Sequence, residues 1–261
     1  MTHSSGLAYD VFDPTLIKWR AWQKQGCSQG KTVPEKYTFP LLYEPGSKWS
    51  YSVGLDWAGV MVERVNGGMH LEDYMKANIW GPLGIKDMTF HLEKRENLRK
   101  RMPDMSMRDP EGSGKAVHKE GKTWDDPLDG AFGGAGAYAS PPEYMKVLVS
   151  LLVDDGKLLK SSTVGELFRP QLTEESRDSL THLLKDPALN NMLGGVPLGV
   201  KKDFGLAGLL IMEDLEEWAR KGTLTWGGLP NLTWVCWSHV GRRLVMILRC
   251  GNDERVLTCH I

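Results

Sequence analysis

The chain lacks most of the features that would assign it to a class at once. It has four cysteines (Cys27, Cys236, Cys250 and Cys259), and no two form a Cys-x-x-Cys pair. Four are too few for a disulfide framework, and the spacing is wrong for a structural zinc site, so reduced thiols in a cytoplasmic protein are the expectation. Neither charge is in excess: 32 Lys plus Arg stand against 33 Asp plus Glu. Without a basic stripe there is no electrostatic footprint for nucleic acid or for an anionic membrane. The cluster Lys94, Arg95, Arg99, Lys100 and Arg101 has no interleaved aromatic residues and reads as a solvated surface segment. No apolar run approaches the roughly 18 residues of a membrane span. The best candidate, from Tyr144 to Val153, is interrupted by Lys146 and Ser150. The first residues have neither a basic start nor an apolar core, so no signal peptide is expected. There is no internal repeat.

What remains is an ordinary globular composition, 41% apolar and 25% charged over 261 residues. Asp13-Pro14 pairs an N-cap with a proline at the first helical position, and Gly26 offers a stop. Between them Leu16, Ile17, Trp19 and Trp22 can share one helical face. Residues 27–48 carry turn residues and prolines and read as a long connection. Leu55, Ala58, Val62 and Val65 recur at helical steps and predict a helix from Gly54 to Val65, ended by Gly67-Gly68. A third helix is expected from Leu71 to Trp80. The stretch 100–137 is rich in Gly, Pro and Asp and reads as a long loop. Ser140-Pro-Pro-Glu143 has the form of a capping box opening a helix through Val153. Short helices follow at about 161–168 and 173–185. Strands are expected at Phe204–Met212, Gly222–Trp226, Leu232–Ser238 and Leu244–Cys250, with a hairpin-like break at Val240-Gly241-Arg242. A helical part over residues 1–203 followed by an antiparallel part over 204–261 makes the fold α+β rather than doubly wound.

Several motifs fail on context. Gly134-Ala-Gly136-Ala-Tyr-Ala139 fits the dinucleotide pattern, but no strand precedes it and no parallel strand follows the next helix. Gly26-Cys-Ser28-Gln-Gly30 fits the hydrolase elbow, yet a helix precedes it where a strand is required. The same serine opens Ser28-Gln-Gly-Lys31. A Ser-x-x-Lys pair works on a helix, where positions i and i+3 share a face and the amine can take the hydroxyl proton. The glycines at 26 and 30 argue against a helix there. The seven histidines form no metal-ligand pair, so no metal and no cofactor are expected.

Two segments carry more weight together. Glu44-Pro-Gly-Ser-Lys-Trp-Ser-Tyr51-Ser-Val-Gly54 sets a tyrosine at a helix start, where a lowered pKa would suit acid–base work. Trp226-Gly227-Gly228 ends a probable strand, where glycines let backbone N–H groups approach a reacting carbonyl. Read singly, each also fits a packed tyrosine and a glycine bulge.

With His3-Ser4-Ser5-Gly6-Leu7 and Gly133-Gly-Ala-Gly136, these segments resemble, in order along nearly the whole chain, the serine β-lactamase-related proteins. That group includes class C β-lactamases, related esterases and fungal acyltransferases of the lovastatin side-chain type. Tyr51-Ser-Val-Gly-Leu-Asp-Trp-Ala-Gly59 looks particularly like the fungal branch. The resemblance implies a β-lactamase/transpeptidase-like fold and an acyl-enzyme mechanism, with Tyr51 handling the proton. Trp226, Gly227 and Gly228 would form the oxyanion and substrate-binding strand. Val53 and Trp226 stand where β-lactamases carry Asn and Lys, which favours an esterase or acyltransferase. The implied partners are a small-molecule thioester or ester donor, a polyketide hydroxyl acceptor and an acyl-carrier domain. The loop at 100–137 and the ten tryptophans would suit a roomy apolar pocket.

In the family the Ser-x-x-Lys helix lies upstream of the His-Thr-Ser-Gly segment, and this chain starts inside that segment. Ser28 and Lys31 lie on its wrong side, so no nucleophile is carried over. The fold is expected to be incomplete at both ends. Three readings stay open: an impaired or inactive acyltransferase, an esterase, and a non-catalytic relative that binds an acyl ligand.

Overall fold

A computed structural model of the chain describes residues 1–120, 127–216, 219–228 and 232–236. Helix α1 (Pro14–Trp22) begins where expected, with Asp13 Oδ1 accepting from the N–H groups of Thr15 and Leu16. Its inward face is not the apolar set read from the sequence. Leu16 and Arg20 are buried, whereas Ile17 and Trp22 are exposed. A buried carboxylate, Asp10, takes the Arg20 guanidinium at 2.8 Å and turns that side of the helix inward. The stretch expected to be irregular contains a short helix, α2 (Val33–Tyr37), started by a Thr32/Glu35 capping box.

Helix α3 (Gly54–Val65) has the bounds its periodicity predicts. The helix expected from Leu71 to Trp80 is α4 (Leu71–Met75) continued by a π-helical turn, Lys76–Trp80. Helix α5 (Glu96–Arg99) is a single turn. The long loop is less bare than expected. Among strands β1 (Met88–Thr89), β2 (Ser106–Arg108), β3 (Ala116–His118) and β4 (Tyr138–Ala139), β2 pairs with β3 and β1 with β4, both antiparallel.

Helix α6 (Pro141–Val153) follows Ser140, whose side chain makes no capping bond. Glu143 is drawn off by other donors: it accepts from the Lys86 N–H at 3.0 Å and pairs with Lys146 at 2.9 Å. Helices α7 (Ser161–Leu167), α8 (Glu174–Leu183) and α9 (Pro187–Met192) complete the helical part.

The sheet has antiparallel order β5-β6-β7-β8, from β5 (Lys202–Phe204), β6 (Leu209–Ile211), β7 (Leu224–Gly228) and β8 (Leu232–Cys236). The single strand expected at Phe204–Met212 is therefore a hairpin. Its turn is closed by the Gly205 N–H on the Gly208 carbonyl at 2.8 Å. The expected strand Leu244–Cys250 and the break at Val240-Gly241-Arg242 lie outside the described residues. Strand alternation gives the sheet two buried faces. Phe204, Leu209 and Ile211 pack with Trp49, Leu180 and Leu184, while Leu210, Leu224 and Cys236 meet Met145 and Val149 of α6. Asp203, wholly buried, accepts from the Gln171 and Leu172 N–H groups and from Arg177, which anchors α8 to the sheet edge. Among the described residues no helix is long and apolar enough to cross a membrane.

Candidate active site

The fold brings Tyr51 and Trp226 together. The Glu44–Gly46 turn delivers the chain to Trp49–Tyr51, Gly46 taking a φ of 86° that a side chain would strain. From β7 the Trp226 ring reaches the same place, its centroid 5.7 Å from that of Tyr51. His3 packs against both rings. Its ring stacks on Trp226 at 5.6 Å and 16°, and it meets Tyr51, Phe204 and Trp49 edge to face. His3 is buried and has a φ of 60°, a left-handed conformation that His tolerates better than most side chains. The Ser52 backbone N–H donates to His3 Nδ1 at 3.1 Å. Burial pushes the imidazole pKa down to about 3, so the ring is neutral.

Tyr51 is not the low-pKa phenol that its helix-start position suggested. Burial raises its pKa, a hydrogen bond with the Tyr9 hydroxyl opposes that, and the Asp56 carboxylate adds to the rise. At neutral pH the group is a protonated phenol, suited to giving a proton to a leaving group. Tyr9, with its ring centroid 5.0 Å from that of Tyr51, is itself pushed upward by burial and by Tyr51.

Asp56 lies in the first turn of α3 and is fully buried. Burial is the main reason its pKa rises to about 6. The Gly134 N–H, its own backbone N–H and Lys36 oppose the rise. Oδ1 accepts from Gly134, while Oδ2 has no partner among the described residues. The glycine cluster thus has a structural reason that owes nothing to phosphate: a Cβ on Gly134 would sit 2.8 Å from Asp56 Oδ2.

Gly227 is explained the same way. A Cβ there would lie 2.8 Å from the Gly194 nitrogen, whereas one on Gly228 would meet nothing within 4 Å among the described residues. Val53 is wholly buried against Tyr37 and Phe132, away from any polar role.

Ser28 has a φ of 56° in a turn, and its N–H donates to Asp10 Oδ2 at 3.0 Å. With no helix under Ser28 and Lys31 and no strand before Gly26, neither the Ser-x-x-Lys nor the elbow geometry forms. Among the described residues no three His, Cys, Asp or Glu side chains gather as a metal site.

A cleft of about 40 Å³ opens beside the aromatic cluster, lined by Met1, His3, Leu55, Phe204, Leu206, Ala207 and Trp226. It is apolar, as expected. Among the described residues one tryptophan lines it, and none of those from 100–137 does. Sequence reading missed His3, Tyr9 and Asp56 as members of this site. His3 and Asp56 each stand in a segment that carries the family resemblance, but neither segment marks them as site residues.

An antiparallel sheet with helices on both faces, and a tyrosine set against the third strand of that sheet, define a β-lactamase/transpeptidase-like fold. The family model described as beta-lactamase matches residues 1–243, and the chain belongs to that family. It is 41% identical over 235 residues to the lovastatin esterase of Penicillium rubens, covering 90% of this chain and 59% of that protein. Over 237 residues it is 37% identical to the monacolin J acid methylbutanoyltransferase of Aspergillus terreus, covering 90% and 57%. A solved structure of a simvastatin synthase mutant from Aspergillus terreus superimposes with a TM-score of 0.81 at 38% identity, covering 90% of this chain and 56% of that one. The chain thus spans less than three fifths of the length of each of these relatives.

Proposed function

We propose that this chain forms the tyrosine-and-sheet half of a serine acyl-transfer site. Its ligands are a neutral, largely apolar ester or thioester and a polyketide-type hydroxyl acceptor. Residues 1–203 supply Tyr51, and residues 204–261 supply the strand ending in Trp226, Gly227 and Gly228. The observation that carries the reading is the contact of Tyr51 with Trp226 beside an apolar cleft. The relatives named as an esterase and a methylbutanoyltransferase support it.

Tyr51 holds its proton at neutral pH and gives it to the leaving alkoxide or thiolate as the acyl–oxygen or acyl–sulfur bond breaks and the acyl group passes to a serine oxygen whose own proton goes to a separate base. It recovers a proton from the acceptor hydroxyl in the second half of the reaction. Backbone N–H groups at the end of β7 face the oxygen on which charge develops. No residue of this chain is assigned as nucleophile. An acyl-carrier domain as thioester source and a cytoplasmic setting belong to the same proposal.

A fluorophosphonate probe together with an alkyl ester tests it. The ester is expected to quench tryptophan fluorescence saturably while no serine is labelled, the behaviour of an acyl-binding chain without its nucleophile. Labelling of Ser28 would reinstate the Ser28–Lys31 pair and make the chain an active hydrolase. No fluorescence response to any ester would remove the acyl-binding reading.

A further inference from the structure

His3 Nδ1 lies 3.1 Å from the Ser52 backbone nitrogen and 3.1 Å from the Ser52 hydroxyl oxygen. A backbone N–H can only donate, so Nδ1 presents its lone pair there, and in the neutral ring the proton must sit on Nε2. The tautomer is thus set by the backbone of the residue following Tyr51. Neither hydrogen bond uses Nε2, although the residue is only 4% exposed. The ring lines the cleft, whose other lining side chains are Met1, Leu55, Phe204, Leu206, Ala207 and Trp226. Among the described residues that line it, the Trp226 indole is the only other one with a side-chain N–H.

We propose that His3 Nε2–H is the hydrogen-bond donor that recognises the carbonyl oxygen of a neutral ester or thioester bound in this cleft. The inference rests on the acyl-binding reading above and adds the group that reads the ligand's oxygen. A donor in an otherwise apolar cleft discriminates strongly, because a ligand without an acceptor leaves it desolvated and unpaired. Stacking on Trp226 and three edge contacts hold the ring in place, which keeps the donor pre-oriented.

The test compares ethyl butanoate with its carbonyl-free counterpart, butyl ethyl ether, on the full chain. Tryptophan quenching gives affinity, and the His3 Hε2 resonance gives the contact itself. Wild type is expected to bind the ester about three- to tenfold more tightly than the ether, the range of one neutral hydrogen bond. Its Hε2 signal is expected to move downfield with the ester only. His3→Asn keeps an acceptor for the Ser52 N–H and tolerates the left-handed backbone, but loses the reach of Nε2, so the ester's advantage is expected to vanish. His3→Gln restores a donor near the Nε2 position and is expected to regain part of it. An ester preference unchanged in a folded His3→Asn protein, or an Hε2 signal that ignores the ester, overturns the assignment to His3 and leaves the acyl-binding reading standing. If wild type binds neither compound, the acyl-binding reading fails and the inference with it. If His3→Asn does not fold, the wild-type Hε2 shift decides alone.

Discussion

The Gly134 N–H donates to Asp56 Oδ1 at 2.9 Å, tying the glycine-rich turn before α6 to the first turn of α3. Because a Cβ on Gly134 would lie 2.8 Å from the other carboxylate oxygen, the turn can close only around glycine. Gly134→Ala is expected to destabilise the fold by about 1–3 kcal/mol, the usual cost of overpacking a filled site. Urea denaturation measures it, and a change under half a kcal/mol would show that the turn relaxes freely.

Asp56 gives the stability a definite pH dependence. Its folded pKa of about 6 lies above its unfolded value near 4. Between those values the folded protein holds a proton that the unfolded chain has shed. The contribution of Asp56 to stability therefore falls as pH rises from about 4 to about 6 and is level above that. Asp56→Asn removes this dependence. The variant is expected to gain on wild type across that window, by something on the order of 1–3 kcal/mol at pH 7. A constant difference between the two proteins at pH 4, 5, 6 and 7 would place the proton elsewhere.

The Tyr9 hydroxyl lowers the pKa of Tyr51 against the pull of burial. Tyr9→Phe is expected to push the Tyr51 phenol further up, so that it titrates later in an alkaline series. Carbon-labelled tyrosine followed by NMR gives the midpoint. An earlier midpoint would mean that burial is relieved by the substitution more than the hydrogen bond is missed.

Asp10 and Arg20 are both buried, and each has further partners: Asp10 accepts from Ser28, and Arg20 donates to the Lys36 carbonyl and to Gln25. Arg20→Leu strands the Asp10 charge and is expected to cost about 3–5 kcal/mol in unfolding free energy. Asp10→Asn in the same background should recover part of that loss. Failure to recover any would show that packing, not the charge, carries the effect.

In a chimera whose upstream part comes from the Penicillium rubens lovastatin esterase, Tyr51→Phe is expected to lower ester turnover by about 10²–10⁴-fold, the range for losing one acid–base group. The melting temperature should stay within a few degrees. Undiminished turnover would take Tyr51 out of the proton transfer.

Helix α3 was legible because its periodicity and its glycine stop are local. Helix α1 was legible in its start and not in its face, since Arg20 turns inward only to meet Asp10. Helix α9 was overlooked although Asp186-Pro187 has the same signature as Asp13-Pro14, and Asp186 does accept from the Ala188 and Leu189 N–H groups. The Phe204–Met212 run read as one strand because apolar continuity hides a turn whose only marks are Gly205 and Gly208. Tyr51 and Trp226 stood out from a tyrosine at a helix start and glycines at a strand end, and the resemblance supplied their roles. His3, Tyr9 and Asp56 owe their roles to packing between distant segments, which no local pattern records.

By itself the sequence determined the α+β order, the even charge, the main helix starts and the family to which these motifs point. Those properties depend on residues a few positions apart or on simple counts. Only the tertiary structure decided that the Tyr51 phenol is held protonated, that the His3 ring presents its proton on Nε2, and that the glycine cluster serves a buried carboxylate. Each of these depends on desolvation and on a hydrogen bond between segments far apart in the chain, and both exist only once the chain is folded.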